Sequence, residues 1–192
     1  MRPDLTRYAL LSLAAAFVTL GLKLWAWRVT GSVGLLSDAM ETVVNIGAAL
    51  VALWTLRVAI LPPDAGHAHG HGKAEYFASG FEGLLIIAAA VGIAWTAVPR
   101  LLAPQALQQV GWGIAVSLLA AAINLAVARV LLRVGRRHRS IVLEADGHHL
   151  MSDVWTSAGV VIGVTLAAAT GWQRLDPLLA LAVAAGILWT GR

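Results

Sequence analysis

Six long apolar runs constrain this chain more than any other feature. They cover roughly residues 8–27, 33–56, 83–98, 110–132, 150–170 and 175–190. A helix that crosses the hydrocarbon core of a bilayer needs about 20 mainly apolar residues. Backbone polar groups in lipid must bond within their own segment, so the spanning elements are helices and not open sheet. The runs take up most of the 192 residues and leave little for a soluble domain. Charged residues make up 12% of the chain, about half the 25% usual in soluble domains. The expectation is an all-α integral membrane protein. It is a bundle of six transmembrane helices forming one transmembrane domain over residues 1–192, without a soluble C-terminal domain.

The first run follows Arg2 and Arg7, as in a signal peptide. It is too long for one, however, and its end, "LKLWAWRVTGS", lacks a small-x-small cleavage pattern. The chain has no cysteine, which excludes disulfides and thiolate ligands. Any metal chemistry must use His, carboxylates or Met.

The basic residues set the orientation. Assigning ends and loops alternately to two sides puts Arg2, Arg7, Arg57, Lys73, Arg129, Arg133, Arg136, Arg137, Arg139 and Arg192 on one side. The other side receives Arg28, Arg100 and Arg174, and Lys23 falls within the first run. Ten against three follows the positive-inside rule with both termini cytoplasmic. The pI near 10.3 therefore reflects topology. No aromatic-interleaved basic patch points to nucleic acid.

The spacing predicts three helical hairpins. Their turns near 30–32, 99–105 and 171–174 are short and face outward. The loops 62–75 and 133–146 are longer, polar and cytoplasmic. Gly159 and Gly163 stand at small-xxx-small spacing, which is read as ordinary close packing of membrane helices.

A charge at the bilayer centre costs about 2.5–3.5 kcal/mol on insertion scales, so intramembrane charges face an interior or a wet cavity. The second run contains "LLSDAMETVVNIG", with Asp38, Glu41 and Asn45 on one helical face. The fifth begins "DGHHLMSDVW", where His149 and Asp153 are four apart and can point at one ion. Glu41, Asn45, His149 and Asp153 together form a four-ligand set of three oxygens and one nitrogen. Such a set suits Zn²⁺, Fe²⁺, Mn²⁺, Co²⁺ or Ni²⁺ better than Cu⁺. Asp146 and His148 fit a helix cap or an interfacial anchor instead.

The loop "PPDAGHAHGHGKAEYF" places Asp64, His67 and His71 among glycines that permit tight turns. A metal site and a His-rich tract that merely buffers metal both fit this composition. Lys23 is expected to snorkel toward the interface. Glu82 is expected to cap or pair near the start of span 3, and Asn124 to hydrogen-bond between helices. The tryptophans are interfacial anchors. No H-E-x-x-H and no P-loop occurs, which argues against an intramembrane zinc protease and an ATP-driven pump.

Four stretches, "KLWAWRVTGSVGLLSDAMETVVNIG", "HAHGHGKAEYFASGFEG", "EADGHHLMSDVWTSAGV" and "LDPLLALAVAAGILWTG", carry a resemblance to the cation diffusion facilitator family of divalent metal exporters. The chain looks most like the bacterial iron/zinc efflux branch. The resemblance implies six helices with cytoplasmic termini in the cell membrane, a homodimer, and exchange of a divalent metal for protons by alternating access. It implies no bound cofactor and no enzymatic activity. It places the transport site on Glu41, Asn45, His149 and Asp153. A cytoplasmic-loop site of the form D-x-x-H-x-x-x-H is matched by Asp64, His67 and His71.

Two departures stand out. The helix 2 pair is usually Asp or His followed by Asp, and here it is Glu41 followed by Asn45. Family chains also usually continue into a soluble cytoplasmic domain, whereas this one stops at Arg192. The expected mechanism links metal binding to proton release, because binding needs neutral imidazole and ionised carboxylates. Imidazole ordinarily changes charge between about pH 5 and 8, which makes His149 the proton-coupling candidate. The alternative is a non-transporting metal-binding or partner subunit of a longer homologue.

Overall fold

The computed structural model describes residues 6–59 and 74–190. Six helices follow one another: α1 Thr6–Thr30, α2 Val33–Ala59, α3 Ala74–Leu102, α4 Val110–His138, α5 Ile141–Thr170 and α6 Leu175–Thr190. No strand occurs among the described residues. Five helices are long and apolar enough to cross a membrane. The apolar part of α6, Leu175–Trp189, is shorter.

Three helices clearly outrun their apolar stretches, and α4 runs on to His138, past the expected 132. α3 starts at Ala74 and α5 at Ile141, each well before the expected 83 and 150. Hydrogen bonding along a helix does not require apolar side chains, so the helix continues where the hydrophobic signal stops. The loop expected at 133–146 is consequently a turn of two residues, Arg139 and Ser140. Arg139 is left-handed (φ 51°). Its N–H reaches Arg136 O, and the Ser140 N–H reaches Gly135 O at 2.9 Å. This pair of hydrogen bonds closes the carbonyl end of α4 as a Schellman motif. Ser140 then caps α5, its hydroxyl oxygen accepting from Leu143 N–H at 3.5 Å. Asp146 and His148, expected as a helix cap or an interfacial anchor, lie inside α5, so neither is its cap.

The connections α1–α2, α3–α4 and α5–α6 gather at one end, as a stack of hairpins requires. Gln108 N–H bonds Thr30 O at 2.9 Å, and the Arg100 guanidinium donates to Gly31 O at 3.0 Å. Gly31 itself is left-handed (φ +67°), a conformation that suits glycine in a two-residue turn. Asp176, at the start of α6, holds the start of α2. It accepts from Val33 N–H (2.8 Å), from Gly34 N–H (3.1 Å) and from the Ser32 hydroxyl. These are the donors that a helix N-terminus leaves unbonded. The carboxylate fits because residue 34 is glycine: a Cβ there would stand 3.0 Å from Asp176 Oδ1.

The interior is organised as two apolar clusters. One joins α2, α3 and α6 through Val44, Ile86, Ile93, Ala184 and Ile187. The other joins α1, α4 and α5 through Ala15, Val127, Leu131, Leu143 and Leu150. A seam between α2 and α5 separates them. Near the turn end the seam is apolar, filled by Leu35, Val160 and Val164. Deeper in, it is polar. Lys23, Asp38, Asn124 and Asp153 are buried, while Leu53, Leu84, Ile87, Val91 and Ile162 are exposed. Polar groups inside and large apolar ones outside are the arrangement that suits a lipid solvent.

Candidate metal site

The polar seam begins with an ion pair. Lys23 Nζ lies 2.8 Å from Asp38 Oδ1, with side chains 2% and 1% exposed. Lys23 also donates to Thr42 Oγ1 at 3.0 Å. The Ser157 hydroxyl donates to Asp38 Oδ1 at 2.8 Å. The expectation that Lys23 snorkels is thus overturned. A buried ammonium is tolerated when it is both paired and hydrogen-bonded, and this one ties α1 to α2 and, through Ser157, to α5. Lys23 and Asp38 both sit about two turns from the turn that joins their helices, so the hairpin brings them to one depth.

Two helical turns further from that end, Asn45 Nδ2 donates to Asp153 Oδ1 at 3.1 Å, a bond across 108 positions of sequence. It spans the seam directly. Asp153 is 5% exposed. Glu41, one turn before Asn45, is half-buried, and its Oε2 has no hydrogen-bond partner among the described residues. His149 stands one turn before Asp153 on α5 and is exposed. All four open on one cavity of about 470 Å³ between α2, α3, α5 and α6. Glu41, His149 and Asp153 share this space without closing into a cage. Among the described residues, no three His, Asp or Glu side chains stand near enough together to hold a metal ion. The amide of Asn45, with its nitrogen on Asp153, completes the set only if it turns its oxygen inward.

A family model for the cation efflux transmembrane domain matches residues 9–192. The chain belongs to the cation-efflux family. As a cation-efflux domain it is a multi-pass membrane protein of a transporter family. It is 55% identical over 184 residues to a protein of Synechocystis sp. named only as an uncharacterized transporter, covering 96% of this chain and 59% of that one. It is 34% identical over 185 residues to the cation-efflux pump FieF of Klebsiella pneumoniae subsp. pneumoniae, covering 96% of this chain and 61% of the relative. Against FieF of Escherichia coli strain K12 the identity is 32% with the same coverage. The cation-efflux domain described here thus spans about 60% of the length of these relatives.

Around the site, the structure adds residues that the sequence reading assigned elsewhere or passed over. Glu82 lines the same cavity as Glu41, together with Ser152 and Thr156. It lies two turns inside α3, not at a helix start as expected. Ser152 and Thr156 stand three and seven positions after His149, so helical periodicity alone points them at the same side. Asn124 is 1% exposed and, contrary to expectation, neither its Nδ2 nor its Oδ1 has a partner among the described residues. Gly163 abuts α6, where an added Cβ would collide with Leu179. No described residue approaches Gly159 in that way. The loop candidates Asp64, His67 and His71 lie outside the described residues.

Proposed function

We propose that this domain exports a divalent transition-metal cation (Zn, Fe, Mn, Co, Ni or Cd) from the cytoplasm in exchange for protons, by alternating access. Glu41, Asn45, His149 and Asp153 are its transport ligands. The observation that carries the reading is the Asn45–Asp153 bond. It joins the two helices where both present polar side chains to a common cavity.

The cation is cargo. Two carboxylates and a neutral imidazole give the site a formal charge of −2, which offsets one M²⁺. The oxygen and nitrogen donors suit borderline divalent metals. Movement across the α2–α5 seam supplies the alternation. One helix group carries Glu41 and Asn45 and the other His149 and Asp153, so relative motion of the groups assembles or opens the set. Protons that return to the imidazole and carboxylates displace the metal. In this reading all six helices span the membrane, both termini are cytoplasmic, and two copies form the working unit in the cell membrane. Asp64, His67 and His71 form a second, cytoplasmic metal site.

The test is uptake of Zn²⁺, Fe²⁺ or Mn²⁺ into proteoliposomes under a pH gradient. Asp153→Ala is expected to abolish flux. Wild-type flux in that variant would overturn the ligand assignment. Metal binding without flux by the unmodified chain would identify a partner subunit instead.

A further inference from the structure

One carboxylate of the cavity has no part in the four-ligand set. Glu82 lies inside the candidate span Tyr76–Leu102, two turns from the start of α3, and lines the cavity with Glu41, His149 and Asp153. Among the described residues it has neither a hydrogen-bond nor an ion-pair partner. A carboxylate within a membrane span is costly, and one without a partner marks an ion pathway by default. α3 packs with α2 and α6, so Glu82 stands on the same side of the seam as Glu41 and Asn45. His149 lines the cavity from the other side.

Depth distinguishes Glu82 from the inner ligands. α3 and α5 both start at the end away from the hairpin turns, and Glu82 and His149 each lie two turns in from those starts. Asp153 follows His149 by a further turn, and Asn45 meets it there. Exposure runs in the same order. Glu82 and His149 are exposed, Asn45 is half-buried and Asp153 is buried. In the orientation proposed above, a cation from the cytoplasm meets Glu82 and His149 before it reaches the Asn45–Asp153 bond.

We propose that Glu82 is the capture carboxylate of this cavity, receiving the divalent cation at the cytoplasmic mouth before the inner set binds it. The proposal rests on the transport-site reading and adds its route of entry. Glu41, Glu82 and Asp153 together give the cavity a formal charge of −3 with His149 neutral. A low-dielectric cleft lined by one sign of charge focuses the field and concentrates counter-ions at its mouth. Since no three His, Asp or Glu side chains among the described residues stand near enough to hold an ion, Glu82 acts a stage before ligation and not as a fifth ligand. With a neutral amide at position 45, the third carboxylate lies where the cation arrives and not where it is held. It speeds arrival without adding to the binding that release must undo.

The experiment measures initial rates of Zn²⁺ uptake into proteoliposomes under a pH gradient, with the cytoplasmic face outward. It compares the full wild-type chain, Glu82→Gln and Glu82→Asp, with Asp153→Ala as reference. Gln matches Glu in shape and removes only the charge. Glu82→Gln is expected to raise KM for Zn²⁺ roughly tenfold and to keep the maximal rate within about twofold, the split that marks lost capture with the transport step intact. In about 1 M potassium chloride, where the Debye length is about 3 Å, the two chains should converge. Glu82→Asp, which restores the charge, should retain most of the wild-type KM. An unchanged KM, a fall in maximal rate alone, or a KM difference that persists in high salt overturns the capture role. Stopped-flow association of Zn²⁺ with the unmodified chain in detergent tests it without a variant, and an association rate independent of salt overturns it too. Wild-type behaviour of Glu82→Gln beside an inactive Asp153→Ala would overturn capture and leave the transport site standing. Absence of Zn²⁺ binding and flux in the wild-type chain would overturn both.

Discussion

Asn45 on α2 donates to Asp153 on α5 at 3.1 Å, and this bond closes the seam between the two helix groups at the depth of the candidate ligands. The pair is a neutral donor meeting a carboxylate. It satisfies Asp153 in the absence of metal without adding a second negative charge.

Asn45→Asp tests that arrangement. Two carboxylates would then face each other, so the metal-free protein is expected to melt at a lower temperature than wild type. Zn²⁺ is expected to bind roughly tenfold more tightly, because a charged oxygen replaces a neutral one. The difference in melting temperature with and without Zn²⁺ therefore widens. Thermal unfolding in detergent, followed by tryptophan fluorescence, reads both signs. An unchanged response to every metal would place Asn45 away from the cation.

Removing Lys23 leaves Asp38 buried beside Ser157 without its cation. Lys23→Met is expected to destabilise the fold by about 3–5 kcal/mol, the cost of stranding a buried charge. The double variant Lys23→Met/Asp38→Leu should recover most of that loss, since hydrophobic replacement of a complete buried pair is often neutral. Unfolding in mixed detergent gives the comparison. Equal stability of the single and double variants would show that Asp38 finds another partner.

Asp176 receives two backbone N–H groups and a hydroxyl at the start of α2. Asp176→Ala is expected to cost about 2 kcal/mol, the upper range for a lost helix cap. Gly34→Ala, which crowds the same carboxylate, should cost about half as much. The two effects should not add, because both break one contact. Additive losses in the double variant would separate the glycine from the cap.

The absence of cysteine makes the sidedness directly measurable. Gln105, exposed between α3 and α4, and Arg139, exposed in the turn between α4 and α5, lie at opposite ends of α4. In intact cells a membrane-impermeant thiol reagent is expected to label Gln105→Cys. Arg139→Cys should react only after permeabilisation. The reverse pattern would invert the orientation derived from the basic residues.

Much of this architecture was legible in one dimension. Apolar runs long enough to cross a bilayer leave the backbone no choice but helices, because lipid offers nothing else for its N–H and C=O groups. Spacings of three and four likewise placed Glu41 with Asn45, and His149 with Asp153, on single faces of their helices. Those are local constraints, set by the 3.6-residue turn. Hydrophobicity marked where lipid begins but not where a helix ends. The Schellman turn at Arg139 and Ser140 and the early start of α5 escaped for that reason. Only the packing of helices against one another decided the remainder. It brought Lys23 to Asp38 instead of to the interface, joined Asn45 to Asp153 across 108 positions, and set Asp176 on the first turn of α2. It also left the amide of Asn124 buried with no hydrogen-bond partner among the described residues. A buried charge or amide takes its partner from whichever side chain a neighbouring helix presents at the same depth. Sequence periodicity carries no record of that depth until the bundle is assembled.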